Sequence, residues 1–195
     1  MVAYIDNMNK KNLLLIFLIL IGVGIGARIW LFGNIPASLY WDEVAIGLDA
    51  RSLLQTGKDL NNHHWFQTLF RSYGDYKAPV YIWLVTLSGK VFSVNEVIIR
   101  LPSLFSSFLT AWLLFQLVKL TAAKNSFLPF LVTVSYLIMP WSIHFSRIGM
   151  ESHLSLFWLV LSVYLMVVAA KRKQPVKIIA SAMAICIGIY TYIPY

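Results

Sequence analysis

The chain has 195 residues, 59% of them hydrophobic and only 12% charged, with a net charge of +8 and a mean hydropathy of +0.71. Soluble domains carry about a quarter charged residues, so this composition excludes one and indicates an all-α, multi-pass membrane protein. The single Cys186 excludes an internal disulfide framework, and no basic stripe with interleaved aromatics marks a nucleic-acid surface.

Residues 13–32 form an apolar run long enough, at about 1.5 Å per residue, to cross a hydrocarbon core of about 30 Å. Lys10 and Lys11 precede it, so the N-terminus is expected in the cytoplasm. A cleaved signal peptide competes, given the small residues Gly22, Gly24, Gly26 and Ala27, but the run is long for one. A first outer loop of about 33–100 follows. Within it, Ile46, Ala50, Leu53 and Leu54 recur at helical spacing and Gly57 supplies a stop, which predicts an amphipathic helix on the membrane beginning at Asp42. Residues 78–92 are apolar but few, and contain Gly89 and Lys90. They are expected as a second amphipathic helix at the outer surface, since counting them as a span would put the cations from Lys171 to Lys177 outside.

Further spans are expected at 101–120, 127–145, 154–170 and 178–193, giving about five, with a second outer loop at about 146–153. The link carrying Lys119 and Lys124 and the link carrying Lys171, Arg172, Lys173 and Lys177 contain no acid, which assigns both to the inside. Inside, eight cations then face Asp6 alone; outside, eight cations face seven acids. The chain ends at Pro194 and Tyr195 as the fifth span emerges, so residues 1–195 read as the N-terminal part of a longer transmembrane domain.

Seven of the eight acids lie between Asp42 and Glu96 or at Glu151. A carboxylate is costly in hydrocarbon, so this placement displays them on one side of the membrane. Asp42 either caps its helix or does chemistry. Arg71, Lys77 and Lys90 flank Tyr73, Tyr76, Tyr81 and Trp83, a pattern that suits a lipid phosphate or ordinary snorkelling at the interface. His63 and His64 read as a solvated pair. Arg147 and Glu151, four apart, either pair along a helix end or belong to the site. Asp42, Glu151 and His153 could hold a divalent cation, although their spacing is no metal motif.

Taken in order, Tyr40-Trp41-Asp42-Glu43, Tyr76-Lys77-Ala78-Pro79-Val80-Tyr81, the stretch from Asn95 to Ser103, and Phe145-Ser146-Arg147-Ile148-Gly149-Met150-Glu151 resemble the GT-C membrane glycosyltransferases. The likeness is to their protein O-mannosyltransferase and lipid A aminoarabinose transferase branch. Two departures are Ala78-Pro79, where many relatives have two prolines, and Glu151 four residues after Arg147, where many have an aspartate five after. The resemblance implies a polyprenyl-phosphate sugar donor, a protein, lipid or glycan acceptor, transfer on the outer face of the plasma (inner) membrane, and inversion at the anomeric carbon. It implies that Asp42, beside Glu43, is catalytic, and that Lys77 lies near the donor phosphate. Glu151 would contribute to the site or to a metal. Arg71 and Arg147 are further candidates for the phosphate, since a good leaving group needs only charge stabilisation while Asp42 takes a proton from the acceptor. Alone, the 195 residues are expected to be inactive. Rival readings are a transporter subunit, which would place ionisable groups in mid-span, and a non-catalytic lipid-binding or assembly partner.

Overall fold

The structure, a computed structural model, describes residues 10–123 and 126–192; Asp6, Lys124, Pro194 and Tyr195 lie outside the described residues. Helix α1 (Lys10–Ile29) is apolar all round, and Leu15, Leu18 and Ile19 stay exposed, as a lipid-facing helix requires. Helix α2 (Trp41–Thr56) buries the stripe Ile46, Ala50 and Leu53 and ends at Gly57, whose φ of 74° forms a left-handed stop. The loop after it is organised by Asp59, which accepts from the Asn61 and His63 amides and from Gln67 Nε2 at 2.7–2.9 Å.

Next comes a feature the sequence reading lacked: a hairpin of β1 (Phe70–Ser72) and β2 (Asp75–Lys77), antiparallel, with Phe70 opposite Lys77. Tyr73 and Gly74 both take positive φ, which gives the turn the twist that a two-residue hairpin needs. Helix α3 (Pro79–Phe92) starts on a proline, whose missing N–H costs nothing in a first turn. It buries Tyr81, Ile82 and Val85 with Ile46, Leu53, Phe70, Ile99 and Leu154, forming the main core.

Helix α4 (Glu96–Thr121) is capped by Asn95, whose side-chain oxygen accepts from the Ile98 amide at 3.0 Å. The span expected at 127–145 is broken into α5 (Leu128–Ile138) and α6 (Pro140–Ser146), bent by 61°. Pro140 has no N–H to continue the ladder and pushes Met139 to an extended ψ of 123°. Helices α7 (Glu151–Arg172) and α8 (Val176–Ile189) complete the bundle. Among the described residues, helices α1, α4 and α7 are long and apolar enough to cross a membrane, which makes three spans, or four with the bent pair counted as one. The fifth expected span corresponds to the 14-residue α8, which at about 1.5 Å per residue is shorter than a hydrocarbon core of about 30 Å.

Contacts fix the helix directions. Met150 N donates to Ser103 Oγ at the starts of α7 and α4, and the Lys171 ammonium donates to the Leu120 carbonyl at their ends, so these two helices run parallel. Ser155 Oγ donates to the Gly188 carbonyl, and the Ser162 and Ser181 hydroxyls meet at 2.9 Å, so α8 runs back antiparallel to α7. The cations Lys119, Lys171, Arg172 and Lys173 therefore gather at one end of the bundle. Asp42, Lys77 and Glu151 gather at the other, about 30 Å away by the length of α7.

Candidate active site

Four segments meet at the acidic end: the first turn of α2, strand β2, the start of α7, and the residues just after α8. Between them is a cleft of about 220 Å³, lined among others by Asp42, Asp75, Lys77, Glu151, Ser152 and Tyr192. In a strand, residues two apart share a face, which sends Asp75 and Lys77 into the cleft together. The Lys77 ammonium pairs with Asp42 Oδ1 and reaches Asp75 Oδ2 at 3.3 Å. Burial would lower its pKa, but the bonds to Asp42 and Asp75 and the charge of Glu151 outweigh burial and raise it, so the ammonium stays charged at any physiological pH. Glu151 opens α7 and lines the same cleft, where it is buried.

Asp42 does not cap α2. That task falls to Glu43, whose Oε2 accepts from the Tyr40 amide at 2.7 Å. Neighbours on a helix point about 100° apart, so while Asp42 lines the cleft, Glu43 turns into the protein. Its carboxylate is fully buried, accepting from Arg100 Nε at 2.7 Å, Arg100 Nη2 at 3.2 Å and the Gly149 amide at 2.8 Å. Arg100 gives its remaining donors to the carbonyls of Gly33, Pro36 and Ser38 at 3.0–3.1 Å. This node ties the end of the first span, α2, α4 and the second loop together directly behind Asp42.

The other sequence candidates are placed elsewhere. Arg147 Nη1 donates to the Ala27 and Arg28 carbonyls and Nη2 to the Ile35 carbonyl, which closes the open carbonyl end of α1; burial lowers its pKa. No ion pair joins it to Glu151 among the described residues, and it does not line the cleft. Arg71 is exposed on β1, opposite Tyr76 and outside the cleft lining. His153 is buried against a different recess, so it does not join Asp42 and Glu151. Among the described residues no three His, Cys, Asp or Glu are grouped to hold a metal ion. Sequence reasoning missed Asp75, because a three-residue strand leaves too short an alternation to show that it shares a face with Lys77.

An all-α, multi-pass membrane bundle with a charged cleft at one end, built on a short helix whose apolar stripe packs into the protein core and on a hairpin, defines the class of protein. The sequence profile of the dolichyl-phosphate-mannose-protein mannosyltransferase family matches residues 76–194, more than half of the chain. The chain belongs to this GT-C family of membrane glycosyltransferases. The match takes in Lys77, Arg100, Arg147 and Glu151 and begins after Asp42. No curated protein and no solved structure gave a match.

Proposed function

We propose that the cleft is the donor end of a site that transfers a sugar from a polyprenyl-phosphate carrier to an acceptor at the extracytoplasmic face, inverting the anomeric carbon. The single observation that carries this reading is the Asp42–Lys77 pair in a cleft shared with Glu151, at the end of the bundle away from the basic links. The positive-inside rule then puts the basic links and the N-terminus in the cytoplasm and the cleft outside.

In the proposed reaction the acceptor oxygen attacks the anomeric carbon from the face opposite the phosphate. Its proton passes to an Asp42 carboxylate oxygen as the new C–O bond forms, and the bond from carbon to the phosphate oxygen breaks with its electron pair leaving on the phosphate. One displacement inverts the centre. Lys77 has three N–H donors, two of them directed at Asp42 and Asp75, and it swings toward the departing phosphate as negative charge grows there. Glu151 is the second acid of the cleft. Glu43 is a positioning residue in this scheme, holding the turn from which Asp42 projects.

Asp42→Asn in the membrane-inserted, complete protein is expected to abolish transfer of labelled sugar while leaving insertion and melting temperature nearly unchanged. Turnover equal to the parent enzyme would remove Asp42 from the mechanism.

A further inference from the structure

A second recess, of about 290 Å³, lies on the opposite side of the first turn of α7, where Ser152 lines both it and the cleft. Its walls come from the broken span and from α7: Tyr136, Trp141, Ser142, Phe145 and His153 are the residues that give it character. Two buried polar atoms there lack a hydrogen-bond partner, the Tyr136 hydroxyl and His153 Nε2. His153 is only 5% exposed, with its ring stacked on Phe145 at 6.4 Å. Both residues line the recess, and leaving a buried polar group unbonded costs about 1–3 kcal/mol each.

The charge behind this recess is positive. Arg28 is completely buried and no acid pairs with it among the described residues. Its guanidinium donates to Ser107 Oγ, to Ser142 Oγ at 2.7 Å and to carbonyls of Gly24, Leu137 and Tyr136, and it lies 5.8 Å from the Tyr136 ring. Ser142 accepts from Arg28, which leaves its own hydroxyl proton to be donated into the recess. Ser142, Tyr136 and His153 thus line a cavity backed by an uncompensated guanidinium, and side chains of this kind suit a phosphate oxyanion. The rest of the recess is apolar, and its rim, with Trp141 and Met139 exposed, lies at the bend between α5 and α6. Trp at such a level marks the headgroup depth of a bilayer.

We propose that this recess is a second binding site, distinct from the Asp42 cleft, for the phosphate headgroup of an anionic membrane lipid. The phosphate sits among Ser142, Tyr136 and His153, and an acyl chain leaves along Leu156 and Phe145. The lipid satisfies the orphaned groups and braces the bend at Pro140 against the start of α7.

Native mass spectrometry of the delipidated protein, titrated with phosphatidylglycerol, diacylglycerol and inorganic phosphate, tests this. Phosphatidylglycerol is expected to be retained as a one-to-one adduct, weakened about tenfold in Tyr136→Phe and again in His153→Phe, as loss of a hydrogen bond to a charged group implies. Because the Tyr136 hydroxyl has no protein partner, Tyr136→Phe is expected to melt like the parent when lipid-free and to lose only the lipid-induced stabilisation. Lys77→Met is expected to keep the adduct. Diacylglycerol binding as tightly, inorganic phosphate displacing the lipid at equal concentration, unchanged affinity in Tyr136→Phe and His153→Phe, or loss of the adduct in Lys77→Met would each overturn the assignment. None of these outcomes depends on whether Asp42 is catalytic.

Discussion

Glu43 and Asp42 are neighbours with opposite expected phenotypes, and Glu43→Gln separates them most sharply. Every group that touches the Glu43 carboxylate is a donor: two Arg100 nitrogens, the Gly149 amide and the Tyr40 amide. A glutamine of the same shape removes the charge opposite a fully buried guanidinium and turns an NH2 donor against one of those donors. Breaking a buried ion pair from one side costs about 3–5 kcal/mol. For a chain of this length each kcal/mol lowers the melting temperature by about 2–4 °C, so a fall of roughly 10 °C is expected for Glu43→Gln. The Asp42–Lys77 pair keeps some exposure, and Asp42→Asn is expected to cost about 1 kcal/mol or less. Thermal unfolding of both variants in detergent, followed by tryptophan fluorescence, reads the difference directly. A Glu43→Gln protein that melts within about 2 °C of the parent yet transfers no sugar would refute the positioning role and make Glu43 a reacting carboxylate.

Asp49 is buried, its Oδ2 has no partner, and burial raises its pKa to about 6. The folded state therefore holds a proton that the unfolded chain, with a pKa of about 3.9, gives up. Stability is expected to fall by about 2–3 kcal/mol as pH rises from about 4 to 6, and melting curves of Asp49→Asn across that window should lack this component. A Cβ at Gly24 would lie 2.8 Å from Leu137 Cβ and 2.9 Å from its carbonyl oxygen, so Gly24→Ala forces α1 away from α5; a loss of about 1–3 kcal/mol in thermal stability is expected, and an unchanged melt would contradict the close packing. With the exposed Cys186 replaced by serine, a cysteine at the exposed position Tyr40 should react with an impermeant maleimide added outside cells, while one at Lys173 reacts only after permeabilisation. The reverse pattern would invert the topology and remove the extracytoplasmic cleft.

Much of this was legible in the sequence because the bilayer imposes one-dimensional rules. Apolar run length gave the spans α1, α4 and α7, acid-free cations gave the links now seen at one end of the bundle, and the stripe from Ile46 to Leu53 with Gly57 gave α2 almost residue for residue. The apolar stretch after Lys77 is the 14-residue α3, the same length as α8, so length alone does not separate it from a span. The break at Pro140 was in principle readable, since proline acts on its own backbone and on the preceding residue. The hairpin was harder, for two three-residue strands bury too little to leave a clear periodicity.

Roles of individual charges were a different matter. Sequence placed Asp42, Glu43, Lys77, Arg147 and Glu151 in the same aqueous neighbourhood, and it could go no further, because a charge can be satisfied by any partner that the fold brings within a few ångströms. Only the tertiary structure sent Lys77 to Asp42 and Asp75, Glu43 to Arg100 fifty-seven positions away, and Arg147 to the carbonyl end of α1. Hydrophobicity is a property of each residue and sums along the chain, so it survives being read as a string. Electrostatic pairing depends on distances between segments, and those exist only once the helices have packed.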